Sequence, residues 1–185
     1  DSLEFRTLGT LGWGTLITSG ALYDSITNCV YDMSSVTSTS SANSVGICFS
    51  NSISSATSSG QNGSKCYIAG NRFIGSTAAG GYYYGVNIAA GGSDSNVIVR
   101  NTFENFYYYG INISGGAGTL IADNELHRSS KTTVTTCYGI ATAGDIPGTR
   151  IVRNRIHDPV SMTSSATGTF HGIRLTGNGT AADPA

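Results

Sequence analysis

A six-residue pattern, Ile-x-x-Asn-x-apolar, recurs along the chain and limits what the chain can fold into more than any other feature. It reads IAGNRF at Ile68–Phe73, IVRNTF at Ile98–Phe103, IADNEL at Ile121–Leu126 and IVRNRI at Ile151–Ile156. An earlier copy, ITNCVY at Ile26–Tyr31, puts Cys29 in the Asn slot. A second phrase, Gly-apolar-x-apolar, follows each copy, starting at Gly46, Gly85, Gly110, Gly139 and Gly172. An aromatic residue or His precedes the Gly in the last four. The Asn-to-Asn spacings are 30, 23 and 30, so length varies between phrases and not within them.

Each phrase reads as a short strand with period-two alternation. Two or three such strands make one coil, and only stacked coils bury their apolar face. The repeat predicts three interior columns: Ile68, Ile98, Ile121 and Ile151; Phe73, Phe103, Leu126 and Ile156; Val86, Ile111, Ile140 and Ile173. An inward Asn at a turn is predicted to bond both backbone and the Asn of the next coil, which satisfies buried polar groups. Coils of this length exceed a hexapeptide solenoid. The Leu-x-x-Leu-x-Leu run that precedes Asn in leucine-rich repeats is missing.

Over residues 22–176 these phrases resemble the right-handed parallel β-helix repeat family, the architecture shared with pectate-lyase-like proteins. The stretch NRIHDP (Asn154–Pro159), the FHGI strand at Phe170–Ile173 and GTAADP near the end are similar to repeats in very large secreted surface proteins of Bacteroidota. The resemblance implies an all-β, right-handed parallel β-helix of about five coils, one domain over residues 1–185 and part of a longer solenoid. It implies secretion or a cell-surface location, with flanking segments of a parent protein as partners, and it names no activity. The departures are Cys29 in the Asn slot and a Ser/Thr-rich insertion over residues 34–59.

Composition narrows the partners. Charged residues are 11% and the formal net charge is −1, which gives no basic surface for nucleic acid. Twenty-five glycines with spread Ile, Val, Leu and aromatics fit short strands and tight turns. No run of 18 apolar residues is present, so no membrane-spanning helix is expected. The chain shows no initiator Met, charged leader or apolar leader, and reads as a mature domain or fragment. Cys29, Cys48, Cys66 and Cys137 lack zinc-ligand spacing and are expected as small buried residues, with a Cys48–Cys66 disulfide left open. No cofactor is expected.

The repeat also aligns polar and aromatic side chains. Tyr84, Tyr109, Tyr138 and His171 form one column, and Tyr83, Tyr108, Cys137 and Phe170 its neighbour. Adjacent strand residues face opposite ways, so one column is expected in the core and the other outside as a strip able to contact a polysaccharide or cell-surface glycan. Before the Asn slot stand Gly70, Arg100, Asp123 and Arg153; after it stand Arg72, Thr102, Glu125 and Arg155. Arg100, Asp123, Arg153 and Arg155 thus join Tyr83, Tyr84, Tyr108 and Tyr109 as candidate ligand contacts. The alternative is a ladder of surface ion pairs that sets register, each contributing about 0–1 kcal/mol. Glu104, His127 and His157 succeed one another three places after the slot, beside Asp158, and are the candidates for a metal, though none is expected.

Catalysis of the kinds common on this fold needs clustered acids or bases on one outer face, and hydrolases need a carboxylate pair. No Asp-Asp or Asn-Thr-Asp of a polygalacturonase is present, and Phe170 stands where its Gly-His-Gly would begin. No catalytic residue is assigned. Flat Thr-x-Thr columns, which would suggest ice binding, are absent. Asn62, Asn112 and Asn178 lie in Asn-x-Ser/Thr sequons. The reading is a non-catalytic structural or adhesive segment of a larger surface protein. The alternative is a polysaccharide lyase or glycoside hydrolase acting on acidic polysaccharide.

Overall fold

A computed structural model describes residues 3–9, 12–133, 135–161 and 168–177. Among them there is no helix; the chain is all-β, built from parallel sheets. The first sheet runs Glu4–Arg6, Val30–Met33, Arg72–Gly75, Thr102–Glu104, Glu125–His127, Arg155–His157. The second runs Gly12–Ile17, Ser44–Phe49, Tyr84–Ile88, Tyr109–Ile113, Cys137–Thr142, Phe170–Leu175. The third runs Ser25–Thr27, Tyr67–Ala69, Val97–Val99, Leu120–Ala122, Arg150–Val152. Ala21–Leu22 pairs with Gly63–Ser64 in a small fourth sheet. From Ser25 onward the chain visits the third, first and second sheets in turn, and each such pass is called a layer.

The Ile-x-x-Asn-x-apolar phrase is not one strand, as the alternation suggested. Ile68–Ala69 ends a strand of the third sheet, Gly70–Asn71 turns a corner, and Arg72–Phe73 begins a strand of the first. The residue before the slot makes the corner by taking a left-handed conformation: Asn28 (φ 55°), Gly70 (67°), Arg100 (55°), Asp123 (56°) and Arg153 (55°). For non-glycine residues that conformation costs about 1–2 kcal/mol each, so the corner has to be held by other bonds.

The Asn side chains hold it. Asn71 donates from its backbone N–H and its Nδ2 to Asn101 Oδ1, at 2.9 and 3.0 Å. Asn101 does the same to Asn124 Oδ1 (3.0 and 3.0 Å), and Asn124 to Asn154 Oδ1 (3.0 and 2.9 Å). Each Nδ2 also donates to a carbonyl of the preceding layer: Ile26, Ile68, Ile98 and Ile121. Asn71, Asn101 and Asn124 are each 1% exposed. Cys29 occupies the slot as expected, and its N–H donates to Asn71 Oδ1 at 2.9 Å. The ladder is inward-facing and continuous.

The predicted columns are the observed register. Ile26, Ile68, Ile98, Ile121 and Ile151 lie opposite one another. So do Phe5, Tyr31, Phe73, Phe103, Leu126 and Ile156. Tyr31, Phe73 and Phe103 stack with centroids 4.8 and 4.6 Å apart. Ile47, Val86, Ile111 and Ile140 form the third wall and are fully buried, whereas Ile173, expected inside with them, continues their register but is 49% exposed. The Ser/Thr-rich insertion is tied to the body: Val36 enters the main core, and Ala56 covers the outer face of the second sheet.

The recurring Gly of the second phrase has a steric cause. A Cβ on Gly85 would lie 2.5 Å from the Gly110 carbonyl oxygen and 2.5 Å from the Phe103 ring. Gly46 meets the Gly85 carbonyl and Phe73 in the same way. The column of glycines lets the wide aromatic column fit beneath it. Gly85→Ala is therefore expected to destabilise by about 1–3 kcal/mol through overpacking. Gly172→Ala, where nothing lies within 4 Å, should stay within about 0.5 kcal/mol. Equal urea midpoints for the two variants would refute the steric account. Asn101→Leu should cost at least about 1–3 kcal/mol by stranding the Asn71 N–H and the Ile68 carbonyl, which the same titration reads.

Candidate functional site

The aromatic residues gather on the outer face of the second sheet. There Val45, Cys48, Ala56 and Tyr84 form a cluster separate from the main core, joined by Trp13, Leu16, Tyr83 and Tyr109. Tyr84, Tyr109, Tyr138 and His171 lie in register. Their rings stack with centroids 5.1, 5.1 and 5.0 Å apart. Tyr83 stacks on Tyr108 at 4.7 Å. The two columns also touch each other, Tyr83 to Tyr84 at 4.8 Å and Tyr108 to Tyr109 at 4.7 Å.

This corrects the expectation that one tyrosine column lines the core. Both lie outside it, and only their continuation, Cys137 and Phe170, packs into it. The cause is the Gly bend. Gly85 would point a Cβ at the Phe103 ring, and Val86 is also interior, so two successive residues face inward. Simple alternation fails at that point, and Tyr84 stays on the outer side. Nor is either column an open strip. Tyr84 and Tyr138 are 5% and 7% exposed, and Tyr83, Tyr108 and Tyr109 are half-buried. Ring faces cover ring faces, contributing about 0.5–1.5 kcal/mol per pair. Burial raises the Tyr84 hydroxyl well above its usual range. The Tyr108 hydroxyl is pushed up to about 12 by burial and by its hydrogen bond to Tyr138. At the end of the column His171 is exposed, and the Arg174 guanidinium lies 5.1 Å from the Tyr138 ring centre.

The charged columns are brought together in part. Arg153 grips Asp123 with two bonds of 2.7 and 2.8 Å, and Arg155 donates to Glu125 at 2.8 Å. Arg100 does not complete a three-layer sandwich; it donates to the Tyr67 hydroxyl at 2.6 Å. Arg72 holds Glu104, and Arg6 holds Asp32. Hydrogen bonding to Arg153 lowers the Asp123 carboxyl. The His157 hydrogen bond, with Arg155 beside it, lowers Glu125. His127 and His157 stack at 5.3 Å. Glu104 is engaged by Arg72, His127 by Ser129, and His157 by Glu125 and Asp158. No group of three metal-ligating side chains converges among the described residues.

Other expectations resolve by position. All four cysteines are free thiols, and Cys48 and Cys66 belong to different clusters, the outer one and the main core. A bond between them would have to cross the sheet. Asn62 and Asn112 are 0% and 7% exposed, and Asn112 Nδ2 donates to Asn87 Oδ1 at 2.7 Å, so neither sequon is open to a glycan. Asn178 lies outside the described residues. Among the described residues no helix is long and apolar enough to cross a membrane.

Sequence reasoning missed a buried cationic pocket. Arg128 and Lys131 are both 0% exposed. Arg128 donates to the Phe106 carbonyl (2.9 Å), Cys137 Sγ (2.6 Å) and the Pro159 carbonyl (3.2 Å). Lys131 Nζ donates to the carbonyls of Ser76 (2.9 Å) and Gly80, clasping that loop. Fully buried Tyr82 keeps its hydroxyl unpartnered. The available signal was length: the 30-residue spacing after Asn124, against 23 before it, makes room for HRSSK. A second missed feature is a turn three residues before each interior Ile, with Tyr23, Lys65, Ser95, Gly118 and Gly148 left-handed. There Asn96 Oδ1 accepts from the Cys66 N–H at 2.9 Å, a short second polar ladder.

A scan against protein-family models finds no matching family, and searches of curated proteins and of solved structures find no match.

Burial, with the neighbouring Arg128 charge, pushes the Lys131 ammonium down to about 7. An unfolded lysine titrates near 10.4. Between these values the unfolded chain binds the extra proton, so this group makes stability rise with pH across that window and contributes no slope below it. The buried thiols, with Cys48 pushed up to about 12, act in the opposite direction above about 8.5. Subtraction isolates the lysine: the unfolding free energy of wild type minus that of Lys131→Met should increase from pH 7 to 10. A flat difference would show that the ammonium keeps its ordinary affinity for the proton.

Proposed function

We propose that this chain is a segment of right-handed parallel β-helix in a large secreted cell-surface protein, serving as a structural and adhesive element and not as a catalyst. The observation that carries this reading is the pairing of the aligned carboxylates. Asp32, Glu104, Asp123 and Glu125 are each bound to an arginine, leaving none of them free as an acid, base or nucleophile. The order of visits to the three sheets, with all registered pairs parallel, supports the coiled path. Handedness follows the right-handed rule for parallel crossovers.

A glycan-contacting role is favoured by one feature, the exposed end of the tyrosine column. His171 is exposed there and stacks on Tyr138, and Arg174 sits over Tyr138 without a carboxylate partner among the described residues. A sugar would meet an imidazole and a guanidinium there. The test is a glycan array with wild type and His171→Ala/Arg174→Ala, run beside an assay of acidic polysaccharides for unsaturated or reducing-end products. Binding by wild type that weakens at least tenfold in the double variant, with no turnover, is the expected result. Turnover lost in Asp123→Asn or Glu125→Gln would overturn the structural reading in favour of a lyase or hydrolase. Equal glycan binding by wild type and variant would remove the adhesive role from this strip.

A further inference from the structure

Six of the chain's ten tyrosines form one network of touching rings: Tyr83, Tyr84, Tyr107, Tyr108, Tyr109 and Tyr138. Tyr83 is its hub, with its ring centre 4.7 to 6.0 Å from those of Tyr84, Tyr107, Tyr108 and Tyr109. A phenol that loses one electron and its proton becomes a phenoxyl radical. Two phenoxyl radicals couple through the ring carbons beside the oxygens. In dilute solution such radicals seldom meet. Here the partner ring is already in contact, so a side-chain rotation replaces the encounter.

We propose that Tyr83 and Tyr108 are an oxidative cross-linking site, at which a one-electron oxidant joins two successive layers through a dityrosine bond. Three observations select this pair. It is the closest stacked tyrosine contact, with centroids 4.7 Å apart and planes 12° from parallel, against 5.1 Å for Tyr84–Tyr109 and Tyr109–Tyr138. Both rings are half-buried, whereas Tyr84 and Tyr138 are 5% and 7% exposed. Both stand at bends just before the strands Tyr84–Ile88 and Tyr109–Ile113, so their rings are the freer to turn. Their backbones are nonetheless held together. The Tyr83 carbonyl accepts from the Tyr109 N–H at 2.8 Å, and the Tyr82 carbonyl from the Tyr107 N–H at 2.9 Å. The network also serves delivery, because a radical formed on one ring exchanges its missing electron with the rings it touches.

The step balances with two equivalents of the oxidant. Each tyrosine gives one electron to an oxidant and its phenolic proton to water. One carbon–carbon bond then forms between the ring carbons next to the hydroxyls. The hydrogen on each of those carbons moves to the oxygen as aromaticity returns. The protein loses two hydrogen atoms in total.

The test is photo-oxidation of the dilute 185-residue chain by a ruthenium tris-bipyridyl complex with persulfate. No Lys or Arg lies inside Phe73–Arg100 or Asn101–Arg128, so trypsin leaves Tyr83 and Tyr108 on different peptides. The expected product is a monomer with dityrosine fluorescence, in which these two peptides are joined and two hydrogen atoms lighter than their sum. Tyr83→Phe and Tyr108→Phe keep the ring but lack the phenol, and each should remove the joined species. Tyr107→Phe should retain it. Oxidation of the chain unfolded in urea should replace the single product by a mixture. No coupling, coupling only between chains through the exposed Tyr23, a joined species that survives in Tyr83→Phe or Tyr108→Phe, or the same single product in urea would overturn the proposal. Glycan binding is read at His171 and Arg174, so its success or failure is separate from each of these outcomes.

Discussion

The asparagine ladder is the interaction on which the rest of the structure depends. Each corner between the third and first sheets places a residue in the left-handed region and turns backbone N–H groups inward, away from water. Unpaired, such groups would cost about 1–3 kcal/mol apiece. Asn is suited to the slot because one side chain both accepts and donates. Its Oδ1 takes two bonds from the layer before it, and its Nδ2 spans the Oδ1 of the layer after it and a carbonyl of the layer before. Asp at neutral pH could only accept, and Leu could do neither. The ladder therefore fixes corner geometry and layer register at once, and a slip by one residue would break every rung.

With register fixed, packing follows from size. Tyr31, Phe73 and Phe103 stack in one interior column, and the facing strands approach them closely only because Gly14, Gly46 and Gly85 carry no side chain there. Where the aromatic gives way to Leu126 and Ile156, the glycines Gly110 and Gly139 still meet side-chain carbons and a neighbouring carbonyl. The same bend redirects the second sheet. It adds one inward residue and so keeps Tyr84 and Tyr109 on the outer side, where they stack on one another. One steric fact inside the core thus decides what the outer surface displays.

The interior was legible in the sequence because it is periodic. Ile68, Ile98, Ile121 and Ile151 could be aligned without knowing any structure, and an Asn repeated among them has few physical explanations other than a ladder. The face occupied by the tyrosines was not legible, because alternation counts residues and cannot see a bend that adds one. Arg128 and Lys131 were hidden for a different reason. They lie in a connection between the first and second sheets whose sequence does not repeat from layer to layer, and a charged residue in a polar stretch ordinarily reads as solvated. Only the surroundings reveal that backbone carbonyls surround both of them. The ion pairs were half legible. Alignment found Arg153–Asp123, but could not tell that Arg100 would turn to Tyr67.

The contrast between the ladder and the cationic pocket shows where such a chain is free to vary. The ladder is neutral and self-complementary, so it can be repeated in every layer without accumulating charge. A buried ammonium or guanidinium cannot be stacked in that way, because each like charge added alongside would raise the cost of the one before. Arg128 and Lys131 therefore act once, in an inserted segment, and their bonds reach across to the loop at Ser76–Gly80 of another layer. The Ser/Thr-rich insertion is anchored by different means, with Val36 in the core and Ala56 against the outer tyrosine cluster. Each insertion is thus held by its own local device on a common inner frame. Differences between layers collect on the outer faces and in these loops.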